Sequence, residues 1–192
     1  ISPGDLNIVI LGNVGSEAIE NAVKIVEKFQ GPEKNKLIYT KNAFHGRTKG
    51  ALSITDSKAL KSTFRLIGGD YIVDFNRVDQ IVELLSKNND IGGVVLESIQ
   101  GGAGVIIPKN GYLKKVRDVC DKYGVLLIID EIQCGFGRTG KLFAFEYDDI
   151  IPDIVTLSKS LGGSNAAISA TIIREPIYKK TYAKKDEWFL QI

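Results

Sequence analysis

The sequence has no methionine, one histidine, one tryptophan, two cysteines and five prolines in 192 residues. His45 is the sole histidine, and Cys120 and Cys134 stand at no metal-ligand spacing to it, which argues against a bound metal. Two cysteines build no disulfide framework, so a reducing, cytoplasmic setting is expected. No apolar run approaches the roughly 20 residues needed to cross a bilayer. A net charge of +2 gives no support to a nucleic-acid or membrane-surface partner. The chain opens Ile1-Ser2-Pro3 without a methionine and without a basic, then apolar leader. The expectation is a piece of something longer, forming one domain over residues 1–192.

What is present is regular. Short apolar, β-branched runs recur at Asn7–Leu11, Lys36–Thr40, Asp70–Phe75, Gly92–Glu97, Gly124–Asp130, Ile154–Leu157 and Ile168–Arg174. They are too short for helices and too uniformly apolar for half-exposed strands, so they read as buried strands. Helical spacing of apolar residues lies between several of them, over Ala18–Phe29, Val78–Ser86 and Tyr112–Tyr123. A weaker helical signal covers Ser57–Phe64, and Lys179–Glu187 reads as a charge-rich, solvated tail. Strand and helix alternation predicts an α/β fold with a mostly parallel sheet and helices on both faces.

In such sheets ligands bind beyond the carboxyl ends of the strands. There the sequence places Gly15 and Ser16 after the first strand, and Phe44, His45 and Arg47 after the second. Glu97, Asp130 and Lys159 close or follow three apolar strands. One bland reading makes these strand-end charges in contact with water, and Ser16 an ordinary helix N-cap. The other makes them a site, because an apolar strand ending on a charge usually has a partner or a task for it. Gly15-Ser16 at a helix start suits a phosphate, provided the neighbouring Glu17 points away from it. Gly135 to Lys141 matches G-x-x-x-x-G-K, but Leu142 stands where a P-loop needs Ser or Thr, and no clear helix follows.

Five segments together resemble the class III pyridoxal-phosphate (PLP) aminotransferases. They are Gly15-Ser16-Glu17-Ala18, Ala43 to Thr48, Glu97 to Gly101, Asp130 to Gln133 with Gly135 to Gly140, and Pro152 to Gly163. Order and spacing agree from about residue 7 to residue 175, and the combination is far more specific than any single motif. The resemblance implies the fold-type I large domain, a three-layer α/β/α arrangement on a seven-stranded sheet. Its flanking N-terminal segment and C-terminal small domain do not appear in the sequence.

The resemblance also implies roles. Lys159 would form the Schiff base and carry protons in a partly dry pocket. Asp130 would pair with the pyridine nitrogen, keeping the ring an electron sink. Gln133 would hydrogen-bond the ring's phenolic oxygen, and Glu97 would lie near the same edge. Phe44 and Ile132 would pack on opposite ring faces. Gly15 and Ser16 would hold the phosphate. Arg47 would face substrate. His45 is read as a cofactor-pocket neighbour; as the only histidine it is also a candidate base, a role Lys159 already fills.

The implied reaction moves an amino group from an amine or ω-amino acid to a 2-oxo acid, in a homodimer. An aminomutase or decarboxylase on the same fold, a P-loop-like nucleotide module and a non-catalytic fragment are the competing readings. Two departures bear on substrate. Gly101-Gly102-Ala103-Gly104 carries no acid where many members have Glu, and Ser164 to Ser169 replaces a Pro-Ile-Gly sequence.

Overall fold

The computed structural model describes residues 2–67, 70–163 and 165–182. Seven strands form one sheet: β1 (Leu6–Gly12), β2 (Lys36–Thr40), β3 (Tyr71–Val73), β4 (Ile91–Glu97), β5 (Leu126–Asp130), β6 (Ile154–Leu157) and β7 (Ser169–Arg174). Their order is β1-β7-β6-β5-β4-β2-β3. Every adjacent pair is parallel except those of β7, which runs antiparallel to both β1 and β6.

The helices are α1 (Gly15–Gln30), α2 (Lys49–Ser53), α3 (Lys58–Lys61), α4 (Val78–Lys87), α5 (Tyr112–Tyr123) and α6 (Glu175–Thr181). They cover both faces. On one, Ile81 and Leu85 of α4 and Leu113, Val116 and Cys120 of α5 meet Ile38, Val94, Leu96 and Leu127 of the sheet. On the other, Ile19, Ala22, Ile25 and Val26 of α1 and Ile177 of α6 meet Leu37, Val95, Ile128 and Ile173. Alternate strand residues feed opposite cores, as the two-residue side-chain period requires. The expected three layers are present.

The sequence expectation needs correcting in four places. β1 is an edge strand with Val9 and Leu11 exposed, so it is only half buried. The Asp70–Phe75 run shortens to three residues, because the Asp70 carboxylate turns to accept from the Leu37 N–H at 3.0 Å. Gly124 belongs to the end of α5, not to β5: at φ 61° it takes the left-handed cap that favours glycine. The stretch read as a solvated tail begins inside α6, where Thr181 is buried; its remainder, residues 183–187, lies outside the described residues.

Two caps, one local and one long-range, matter for the site. Glu17, three residues into α1, turns its carboxylate back onto the Asn13 and Val14 N–H groups at 2.5 and 3.3 Å. Glu20 of the same helix reaches across to the start of α2, accepting from the N–H groups of Gly50 and Ala51 at 2.8 and 3.1 Å and from the Thr48 hydroxyl. Glu17 satisfies the N–H groups just ahead of α1, and Glu20 those of the first turn of α2, which have no intrahelical partner. The second fixes the loop leading from β2 against α1.

Candidate active site

At the carboxyl ends of β1, β2, β4, β5 and β6 lies a cleft of about 410 Å³. All ten residues singled out from sequence line it: Gly15, Ser16, Phe44, His45, Arg47, Glu97, Asp130, Ile132, Gln133 and Lys159. The sheet register accounts for much of this. Glu97 pairs with Asp130 across β4 and β5, and Asp130 pairs with Thr156 across β5 and β6. Lys159 follows three residues later.

Asp130 is buried, and its environment is specific. One carboxylate oxygen sits 2.8 Å from Nδ1 of His45, itself buried. The other accepts from the Ile132 N–H at 3.0 Å and from the Thr156 hydroxyl at 3.3 Å. With Nδ1 engaged, His45 has a second ring nitrogen, Nε2, that is buried without a partner among the described residues. A buried polar atom in that condition is costly unless something completes it.

The loop bearing Phe44, His45 and Arg47 is held by Thr55, whose fully buried hydroxyl accepts from the His45 and Gly46 N–H groups at 2.9 and 3.2 Å. Gly46, at φ 140°, lies so close to α1 that a β-carbon there would fall 2.3 Å from Oγ of Ser16. Glycine is required for the loop and the helix start to meet. Ser16 Oγ in turn accepts from the Arg47 N–H at 3.2 Å. Ser16 is therefore not the N-cap of α1. The cap position is Val14, and Glu17 does the capping; its carboxylate is engaged by the Asn13 and Val14 N–H groups, and Glu17 does not line the cleft.

Glu97 is buried, with Oε2 3.3 Å from the Phe44 N–H. Burial pushes its carboxyl up to about 7, and Asp130 adds to the rise; His45, the Phe44 N–H and Lys159 pull the other way. Glu131, the next residue after Asp130, points away from the cleft. It accepts from the Ser98 hydroxyl and, at 3.0 Å, from the Phe145 N–H. Burial pushes Glu131 up to about 7 as well, against those two donors.

Lys159 stands opposite this acid cluster at φ 47°, in the left-handed region that costs a non-glycine residue about 1–2 kcal/mol. It is exposed, so this chain's own walls do not supply the dry pocket expected for it. Phe44 is also 42% exposed, and the Arg47 guanidinium lies 6.0 Å from its ring centre.

The G-x-x-x-x-G-K segment forms no phosphate loop. Lys141 donates to the Glu146 carbonyl at 2.8 Å, and the chain continues into a 3₁₀ turn rather than an α-helix. Sequence reasoning missed Thr55, Thr156 and Glu131. The first two lie on segments flanking named residues, but only the loop path and the strand register bring their hydroxyls to the site.

The class-III aminotransferase family matches residues 1–185. The chain belongs to the class-III aminotransferases. Over 180 residues it is 42% identical to an acetylornithine aminotransferase of Methanopyrus kandleri, covering 92% of this chain and 44% of that relative. An ornithine aminotransferase structure from Toxoplasma gondii, described with partial occupancy of PLP at its active site, superposes with a TM-score of 0.87. Identity is 35%, over 94% of this chain and 43% of that one. An omega transaminase from Pseudomonas Jessenii in complex with PMP matches with a TM-score of 0.88 and 30% identity, over 95% and 46% of the two chains. The chain thus spans less than half the length of these class-III relatives.

The cleft fits the family's cofactor. A carboxylate backed by an imidazole sits at its floor and an amine at its rim. A helix N-terminus supplies N–H groups without intrahelical partners at Gly15 and Ser16. The space is kept open by glycines: a β-carbon on Gly15 would come 3.0 Å from Ile132 Cδ1, and one on Gly101 2.7 Å from Gln133 Cγ.

Proposed function

We propose that this chain is the cofactor-bearing part of a PLP-dependent aminotransferase that moves an amino group from an amine or ω-amino acid to a 2-oxo acid. The observation that carries the reading is the convergence of Lys159 and the buried His45–Asp130 pair on one cleft. When bound, the cofactor supplies an electron sink for the carbon that loses its proton.

Lys159 Nζ anchors the cofactor and afterwards carries a proton to and from the substrate carbon. Its position on the short turn after β6 gives it reach from the rim. Asp130 would pair with the ring nitrogen, and His45 Nδ1, 2.8 Å from one of its oxygens, holds the orientation of that side chain. Phe44 and Ile132 wall the slot, and Gln133 and Glu97 serve its polar edge. Gly15 and Ser16 give their N–H groups to the phosphate. Arg47, exposed at the mouth, meets the substrate.

A homodimer is part of the reading. Val105 and Ile107, 66% and 69% exposed on the loop that continues from the Gly101 rim, are supporting features for a partner subunit there. A cytoplasmic setting is supported by both cysteines being free and buried. Product analysis tests the reaction. Incubation with PLP, an amine and a 2-oxo acid should yield a ketone or aldehyde and an aminated acceptor in equal amounts. Loss of carbon dioxide, or an isomerised amine with no acceptor consumed, would replace transfer by decarboxylation or amine migration.

A further inference from the structure

The glycine-rich segment that imitates a phosphate loop has another use in this fold. Residues 135–141 wind tightly: the Gly135 N–H donates to the Glu131 carbonyl at 2.8 Å, and the Phe136 N–H to the Leu142 carbonyl at 2.8 Å. The Tyr147 hydroxyl donates to the Thr139 carbonyl at 2.6 Å, and Lys141 is tied to Glu146. The winding begins within five residues of Asp130. It projects one long side chain, Arg138, onto the turn that holds Lys159. Nε and Nη2 of Arg138 both donate to Oγ of Ser160, at 2.8 and 2.5 Å.

That turn needs holding. Lys159 is left-handed at φ 47°, and among the described residues the 3₁₀ turn Lys159–Gly162 is held by short-range backbone bonds: Leu161 to Ser158, Gly163 to Ser160, and Asn165 and Ala166 to Gly162. Before Lys159, the Ser158 hydroxyl donates to the Ile168 carbonyl at 3.0 Å. After it, Ser160 is gripped by Arg138. The lysine is thus clamped by one side chain on each flank. A planar guanidinium suits this role, since its fork presents two N–H groups in fixed geometry and stays charged.

We propose that Arg138 is a positioning residue which, through Ser160, holds Lys159 in its left-handed conformation at the cleft. The proposal rests on the role given to Lys159 above, and the test separates the two. Hydrogen exchange of the amides of residues 159–163 is measured first without cofactor, in the parent, Arg138→Ala, Arg138→Lys, Ser160→Ala and the double Arg138→Ala/Ser160→Ala chain. Arg138→Ala and Ser160→Ala should each speed exchange there about tenfold while leaving β4 and β5 unchanged. The double variant should be no faster than either single, and Arg138→Lys should recover part of the protection.

The same set is then loaded with PLP. The rate at which the visible band of the lysine-linked cofactor is lost on dilution should rise about tenfold in both single variants. Unchanged exchange in residues 159–163, or additive effects of the two substitutions, would overturn the bracing role. So would a rise in KM for a carboxylate-bearing substrate with exchange unaltered, which would make Arg138 a substrate ligand. If the parent itself forms no lysine-linked band, the aminotransferase reading fails instead, and the exchange result still decides the brace.

Discussion

Two buried aspartates, at opposite ends of the same strands, have been put to different uses. Asp153 precedes β6 at the amino end of the parallel strands. Its carboxylate accepts from Arg117 at 2.8 Å, from Arg174 at 3.3 Å and from the Leu127 N–H at 2.8 Å. Arg117 is buried with it, so two charges and a backbone donor close on one another. Asp130 ends β5 at the carboxyl end. It too is buried and hydrogen-bonded, but its one ring partner has a spare nitrogen and its surroundings open into a cleft. Arg117 Nε is likewise buried without a partner among the described residues, so the difference lies in the surroundings: Asp153 is closed in by its arginines and holds the fold, while Asp130 opens into a cleft where a ligand can reach it.

The contrast can be broken by exchanging each carboxylate for an amide. Asp153→Asn leaves the buried Arg117 only the exposed Asp121 as an ionic partner and should lower stability by about 3–5 kcal/mol, read from denaturant unfolding. Activity should fall only with the folded fraction. Asp130→Asn should do the reverse: unfolding should change by less than about 1 kcal/mol, while kcat of the cofactor-loaded enzyme drops about 10²–10³-fold. Equal destabilisation by the two substitutions would erase the distinction between the ends of the sheet.

A smaller effect separates the two ends by pH. Burial raises Glu97 and Glu131, both beside Asp130, to about 7. Their carboxyls hold protons in the folded chain that they release above about 4.5 when unfolded. Their contribution to stability is therefore complete below about 4.5 and is lost as pH rises through about 7. The cofactor-free chain should lose stability on the order of 3 kcal/mol for each group across that window. In Glu97→Gln the Glu97 part of the slope should vanish. A parent whose melting temperature is flat from pH 4.5 to 7 would contradict the burial of these acids.

How far the sequence reveals this arrangement differs between the two ends. Periodicity alone locates all seven strands, because β-branched runs such as Leu126 to Asp130 have no competing helical reading. The cleft residues follow from strand ends and motif order. The Asp153 network is not legible there, since Arg117 and Arg174 reach it from α5 and β7 across the fold. The same holds for Thr55 and Thr156, whose hydroxyls matter only through a loop path and a register. β1 misleads because Val9 and Leu11 face outward at the sheet edge while Leu6 and Ile10 are buried; periodicity records a preference for burial but not what covers a face.

Lys159 is the residue on which the functional account turns, and its attachment to the cofactor can be read directly. The chain is loaded with PLP, reduced with borohydride, digested and mapped by mass spectrometry. The account predicts one modified peptide, carrying the reduced cofactor on Lys159, and none in Lys159→Ala. Attachment at another lysine, such as Lys141, or no attachment in the parent at all, would contradict it.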